Sequence, residues 1–224
     1  MFKSIFCKLV VLVFLINNGV ALGAANLVKN GNFEGGSSEW TEWSSTQPWV
    51  GGALFEHDYA NGSDIWTPEP YPYDGVHTHS QRKGITNIHG GLYQVINVTK
   101  GRRYTVSGQW SGGIGGLVLD SNTLAAWYEV IIYDGVASAA QIDAGVEAND
   151  VTIAKKTHEG NSVYSFGWET FSGTFTAKSN QITLALKTGK VGDWDAIAAY
   201  HDNILLYEFY WPMFVPATTG RGAP

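Results

Sequence analysis

A chain of 224 residues is long enough for one large domain and short for two, and its 14 basic against 20 acidic side chains include only one tight cationic run, Lys100 to Arg103, itself broken by Gly101. A phosphate-binding surface needs clustered Lys and Arg, so nucleic acid is argued against as a partner. Aromatic residues make up 13% of the chain and charged residues 15%, with 9 Trp, 11 Tyr and 10 Phe; some rings must fill the core, while others sit among neighbours too polar for burial.

Residues 1–25 read as a secretory signal peptide. Lys3 and Lys8 precede an apolar run from Leu9 to Ile16, and small residues follow at Ala21, Gly23, Ala24 and Ala25. The run is shorter than the roughly 20 apolar residues that span a bilayer, so no membrane span is expected in the mature chain, which is expected to be secreted, extracellular or at the cell surface. Removing the leader takes away both lysines and leaves 12 basic against 20 acidic residues, a net charge of −8. Cys7, the only cysteine, leaves with it, so no disulfide is expected.

After the leader, no helical periodicity is evident. Runs of five to eight residues alternate apolar with polar and end at Gly, Asn or Asp, which predicts strands near Leu27 to Lys29, Gly91 to Val98, Arg103 to Trp110, Ala126 to Tyr133, Trp168 to Thr176, Gln181 to Thr188 and Asn203 to Phe209. Glycines at Thr99 to Gly101, Asp134-Gly135, Ser172-Gly173 and Lys187 to Gly189 read as turns or bulges, and GGIGG from Gly112 reads as a hairpin tip. His57 to Asn87 and Gly135 to Gly167 are expected as long irregular segments, and such segments usually carry function or mobility. These elements predict an all-β fold, an antiparallel two-sheet jelly-roll sandwich in a single domain over residues 26–209, with an irregular tail over 210–224.

The opening NLVKNGNFE with Trp40, then GLYQVINVTKGRRYTVSGQW, WETFSGTFTA, ITLALKTG and the closing HDNILLYE resemble, in that order, the galactose-binding-like β-sandwich, and most nearly the carbohydrate-binding modules of bacterial xylanases and β-glucanases. The resemblance implies a structural calcium held by Glu34 and Asp202, with Asn32 standing where an aspartate is common. Calcium takes six to eight oxygens, and backbone carbonyls of the Gly-rich stretch after Phe33 would complete such a shell. The competing reading is that Glu34 and Asp202 only cap turns.

Binding residues are argued from side-chain alternation. If Tyr128, Val130 and Ile132 face the core, Trp127, Glu129, Ile131 and Tyr133 face the other way; likewise Tyr104, Val106 and Gly108 point inward and Thr105, Ser107 and Gln109 outward. Should both strands share the concave sheet, Trp127 and Tyr133 form a stacking platform for the C–H face of a sugar, with Gln109 and Glu129 as hydrogen-bonding partners. Packing of Trp127 beneath a loop is the alternative. Trp66, Tyr71 and Tyr73 on the proline-stiffened IWTPEPYPYDG, and Trp194, either bind as well or roof the sandwich.

Catalytic signatures are missing: no G-x-S-x-G, HExxH or phosphate-binding glycine loop occurs. His77-Thr78-His79 lacks a third zinc ligand. Glu129 with Asp134, Glu147 or Glu169 would be a glycosidase pair only at a suitable separation. Asn61-Gly62-Ser63 and Asn97-Val98-Thr99 match the N-glycosylation pattern. The expected function is a non-catalytic module whose partner is a polysaccharide. Alternatives are a structural or adhesive surface protein that uses the sandwich for protein contacts or self-assembly, and a hydrolase or lyase with a site in the long insertions.

Overall fold

The computed structural model describes residues 25–45, 56–58, 73–74, 79–83, 88–115, 125–160, 164–191 and 196–209. Among the described residues, two five-stranded antiparallel sheets make the fold. The first runs in the order β1 (Thr41–Ser44), β4 (Ile88–Asn97), β9 (Gln181–Val191), β6 (Ala125–Asp134) and β7 (Val151–Glu159). The second runs β2 (Glu56–Asp58), β3 (His79–Lys83), β10 (Ala196–Glu208), β5 (Arg103–Gly115) and β8 (Tyr164–Thr176). This is the expected all-β jelly-roll sandwich.

Alternation explains what each sheet buries. Tyr128, Val130 and Ile132 of β6 and Leu184 and Leu186 of β9 meet Tyr104, Val106 and Trp110 of β5 and Phe166, Phe171 and Phe175 of β8 in one core. Aromatic pairs knit it: Tyr104 stacks on Phe175 at 5.6 Å, and Trp110 meets Phe166 and Phe171 edge-on at 5.6 and 5.7 Å. With no thiol among the described residues, this apolar mass is the main source of stability.

The two ends of the domain are tied directly. Leu27 N donates to Leu206 O at 2.9 Å, Ile204 N to Gly31 O at 2.8 Å, and the Asn26 side chain both donates to Ile204 O and accepts from Leu206 N. The expected first strand, Leu27 to Lys29, is not a ladder strand: Leu27 is tied to β10, and the chain then bends at Val28 and turns from Lys29.

Several boundaries differ from the sequence expectation, each for a packing reason. Ser172-Gly173 and Lys187 to Gly189 lie inside β8 and β9, not at turns. Gly173 is there because a Cβ would press within 3.1 Å of Ile153. GGIGG does not turn at Gly112 either: β5 continues to Gly115, where Gly112 and Gly113 pair with Ala199 and Ala198 and a Cβ on Gly112 would come 2.7 Å from the Tyr128 ring. The segment expected to be irregular from Gly135 holds a helix, α1 (Ala139–Ala144), and β7. A helix of six residues is too short to persist alone. Ser138 caps it in a capping box with Gln141, and Ile142 anchors it in a second apolar cluster with Trp43, Ile131, Tyr133, Ala137 and Ala185, on the outer side of the first sheet.

Candidate functional site

The outer face of the first sheet divides into a covered part and an open part. α1 covers the part beneath it. There Tyr133 is 3% exposed, its hydroxyl donating to Ile142 O at 3.2 Å and accepting from Lys187 Nζ at 2.9 Å. Tyr133 was expected beside Trp127 as an exposed platform; it does face outward from the sheet, but the helix seals it. Burial, chiefly, raises its hydroxyl above the ordinary tyrosine range.

Trp127 occupies the open part. Its register partner on β9 is Gly189, and a Cβ there would stand 2.2 Å from Trp127 Cζ2 and 2.4 Å from Cε2, so the indole lies over the glycine. Any larger residue at this position would lift the ring off the sheet. Half-buried Trp127 then forms the floor of a depression of about 240 Å³ lined by Ala125, Glu129, Lys155, Thr157, His158 and Glu159.

Charges beside the ring are fixed from both sides. Glu129 Oε1 meets Lys155 Nζ at 2.8 Å, and its Oε2 faces Lys187 Nζ at 3.9 Å. Lys155 is half exposed, whereas the Lys187 side chain is 2% exposed and also donates to Ile142 O at 2.8 Å. Burial pulls the Lys187 ammonium below its ordinary range, an effect opposed by Glu129 and Asp143.

Behind Trp127 the sheet continues into a wall. His89 packs edge-on to Trp127 at 5.5 Å and to Trp43 at 5.1 Å, and its Nδ1 pairs with Asp143 Oδ1 of α1 at 3.1 Å. Burial is the main reason the imidazole pKa falls to about 4; Lys187 adds to the fall and Asp143 opposes it. His89 is therefore neutral near pH 7. His89 Nε2, Trp43 Nε1 and Asp143 Oδ2 are buried with no hydrogen-bond partner among the described residues.

Other sequence candidates do not join this site. Gln109 lies on β5 in the opposite sheet, bonded to Thr170 at 3.0 Å, so it cannot share a ligand with Trp127. The condition that both strands share one sheet is not met, because β5 pairs with β8 and β10 while β6 pairs with β7 and β9. Tyr73 is 49% exposed but packs edge-on to Trp168 of β8 at 5.9 Å, again on the second sheet. Trp66, Tyr71, Trp194, His77 and the His79 side chain lie outside the described residues. Of the carboxylates weighed with Glu129, Glu169 sits on the second sheet, paired to Lys156 at 3.0 Å. Asp134 and Glu147 instead line a small cavity of about 40 Å³ beyond α1. The expected strands begin at Gly91 and end at Thr188, whereas β4 begins at Ile88 and β9 runs to Val191, which leaves His89 and Gly189 outside the sequence reading; Asp143 and the buried partner of Lys187 lie on α1, whose one local signal in the sequence is the Ser138–Gln141 spacing.

The seam at Asp202 is separate. Its fully buried carboxylate accepts from the backbone N–H of Tyr73 and Asp74, each at 3.1 Å, and of Asn203 at 2.7 Å. Burial outweighs these bonds, and with the neighbouring Asp74 charge it pushes the Asp202 pKa up to about 6. Glu34 is exposed on the N-terminal turn. Among the described residues no group of three His, Cys, Asp or Glu side chains is arranged to hold a metal ion.

No protein-family model matches the chain, and no curated protein matches it. Several solved structures are similar. One is a family 61 carbohydrate-binding module in complex with β-1,4-galactotriose, at 15% identity over 83% of this chain and 100% of that one, with a TM-score of 0.44. Another is the family 22 xylan-binding domain of Paenibacillus barcinonensis Xyn10C, at 17% identity over 83% and 95% of the two chains, TM-score 0.42. A third is the enzymatically active domain of tailspike protein 4 from bacteriophage CBA120, at 11% identity over 82% of this chain and 21% of that one, TM-score 0.45.

Proposed function

We propose that this chain is a secreted, non-catalytic glycan-binding module whose site is the open part of the first sheet's outer face. The observation that carries the reading is the Trp127 indole laid across Gly189 at the floor of an open depression. A pyranose offers an apolar C–H face and a rim of hydroxyls, so it needs a ring to lie on and charged or planar polar groups at the edge. Trp127 supplies the ring. Glu129 and Lys155 supply an acceptor and donors held to one another at 2.8 Å, and exposed Thr157 adds a hydroxyl.

A structural calcium at Glu34 and Asp202 belongs to the same proposal as a separate part. It would neutralise the buried Asp202 and stiffen the seam where the two ends of the domain meet, away from the sugar.

Affinity electrophoresis against xylan, β-glucan and galactan tests the function. Retardation on at least one polysaccharide, abolished by Trp127→Ala and kept by Gln109→Ala, is the expected result. No retardation on any of them, or equal retardation of the Trp127 variant, removes the reading. Concentration-dependent self-association in light scattering, with silence on a glycan array, would put a structural or adhesive protein in its place.

A further inference from the structure

We infer that the Trp127 depression prefers a glycan with free amino groups, built from 2-amino-2-deoxy sugars, over neutral or acidic chains of the same backbone; this rests on the glycan-binding reading above. Charge sets the preference. Strand alternation puts Lys155, Thr157 and Glu159 of β7 on the outer face, opposite Glu129, Trp127 and Ala125 of β6. The indole therefore lies between two unlike ends, each two residues, or about 7 Å, along the strands from it.

At one end the charges are neutralised. Glu129 faces two ammonium groups, Lys155 at 2.8 Å and buried Lys187 at 3.9 Å. At the other end Glu159 is exposed and has no ion pair among the described residues. The other lysines of β7 and β9 turn to the opposite face. Lys156 pairs with Glu169 at 3.0 Å and lies over the Phe166 ring at 4.8 Å. Lys190 is 0% exposed, and its register partners Ala126 and Ile88 are both core residues. His158, which also lines the depression, has its imidazole stacked on the Tyr164 ring at 4.7 Å.

The sequence extends the asymmetry. Ala125 pairs with Glu159 on one side and Val191 on the other, so three strand ends meet here. The segments that join these ends to the neighbouring strands, 116–124, 161–163 and 192–195, hold Asp120, Asp193 and Asp195 and no Lys, Arg or His. They supply Glu159 with no cation. A sugar lying on Trp127 with its hydroxyl rim toward Glu129 and Lys155 leaves its opposite edge beside Glu159. An ammonium on that edge gains both the carboxylate and the indole face, whose quadrupole attracts a cation. A carboxylate or sulfate in the same place meets an unneutralised acid, and a neutral chain keeps the ring contact alone.

Calorimetric titration of the intact protein at mildly acidic pH, where sugar amines are protonated, separates the cases. The ligands are four β-1,4-linked oligosaccharides of one length, made of glucose, N-acetylglucosamine, glucosamine and glucuronate. Glucosamine should bind about five-fold tighter than glucose, the upper size of one exposed ion pair. N-acetylglucosamine should match glucose, and glucuronate should bind weakest. Glu159→Gln should bring glucosamine down to the level of glucose. Glu147→Gln, which removes an exposed acid beyond α1, should leave the preference intact. Equal affinity for glucosamine and glucose, tighter binding of N-acetylglucosamine or glucuronate than of glucosamine, or equal loss in the two variants overturns the inference, while binding of glucose leaves the Trp127 reading standing. Failure of all four to bind, with no retardation on the neutral polysaccharides, removes both.

Discussion

Gly189→Ala is the sharpest test of the site, because it changes no group that could touch a ligand. The added methyl would sit 2.2, 2.4 and 2.9 Å from Cζ2, Cε2 and Nε1 of Trp127, where ordinary contact begins at 3.4 Å. Gly189 is paired to Trp127 on one side and His89 on the other, so its backbone cannot give way. The ring must move, by about 1.2 Å at the nearest atom. Overpacking of this kind costs about 1 to 3 kcal/mol of stability, which leaves a folded protein to assay. Loss of a central stacking ring costs about 2 kcal/mol of binding, which is roughly 30-fold in Kd. Calorimetric titration with the retained oligosaccharide measures this, and a thermal melt shows that the variant is folded at the assay temperature. In a Trp127→Ala background the same substitution should add nothing, since the ring it displaces is already gone. A folded Gly189→Ala protein with wild-type affinity would refute the claim that Trp127 lying over the glycine makes the floor.

Acid stability should reveal two buried groups acting in opposite directions. The His89 pKa is depressed to about 4 in the folded state, so its contribution is present above pH 6.5 and lost as pH falls through 4, worth about 3 kcal/mol at most. Asp202, raised to about 6, contributes in the reverse sense: its stabilisation is present below 3.8 and lost as pH rises through 6. In chelator the wild-type stability curve between pH 4 and 6.5 should be comparatively flat, Asp202→Asn should steepen its acid loss, and His89→Gln should reverse its slope; denaturant melts that show parallel curves for all three proteins would sink this account. If the seam holds calcium, EDTA lowers the melting temperature of the wild type and leaves Asp202→Ala unchanged, and identical melts with and without chelator would count against the ion. Lys187→Met keeps the volume but leaves the buried Ile142 carbonyl without that donor and Glu129 with Lys155 alone. A loss of about 1 to 3 kcal/mol in denaturant unfolding is expected, and a neutral result would mean that α1 is not held through this lysine.

Much of the fold was legible because period-two patterning is a local property. In β6 the order Trp127-Tyr128-Glu129-Val130 states which side chains share a face, and the structure places Tyr128 and Val130 in the core and Trp127 and Glu129 outside. The ends of the domain were readable for a similar reason, since Asn26 and Leu206 meet in a hydrogen-bonded seam made of neighbouring residues at each terminus. Turn glycines were less legible. Gly173 and Gly189 look identical in sequence to reversal points, but each is small to admit a side chain from another strand, Ile153 and Trp127 respectively.

The chain's own order of residues thus determined an all-β sandwich and the sidedness of its strands, because alternation and turn chemistry act over a few residues. Which strands share a sheet was decided only in three dimensions: Gln109 and Trp127, each outward-facing on its own strand, came to lie on opposite sides of the molecule. Tertiary packing alone also made Tyr133 part of a second core and Trp127 part of an open floor. Both rings stand on the same face of β6, six residues apart. Their separation in fate comes from α1, a helix too short to form without the surface it covers.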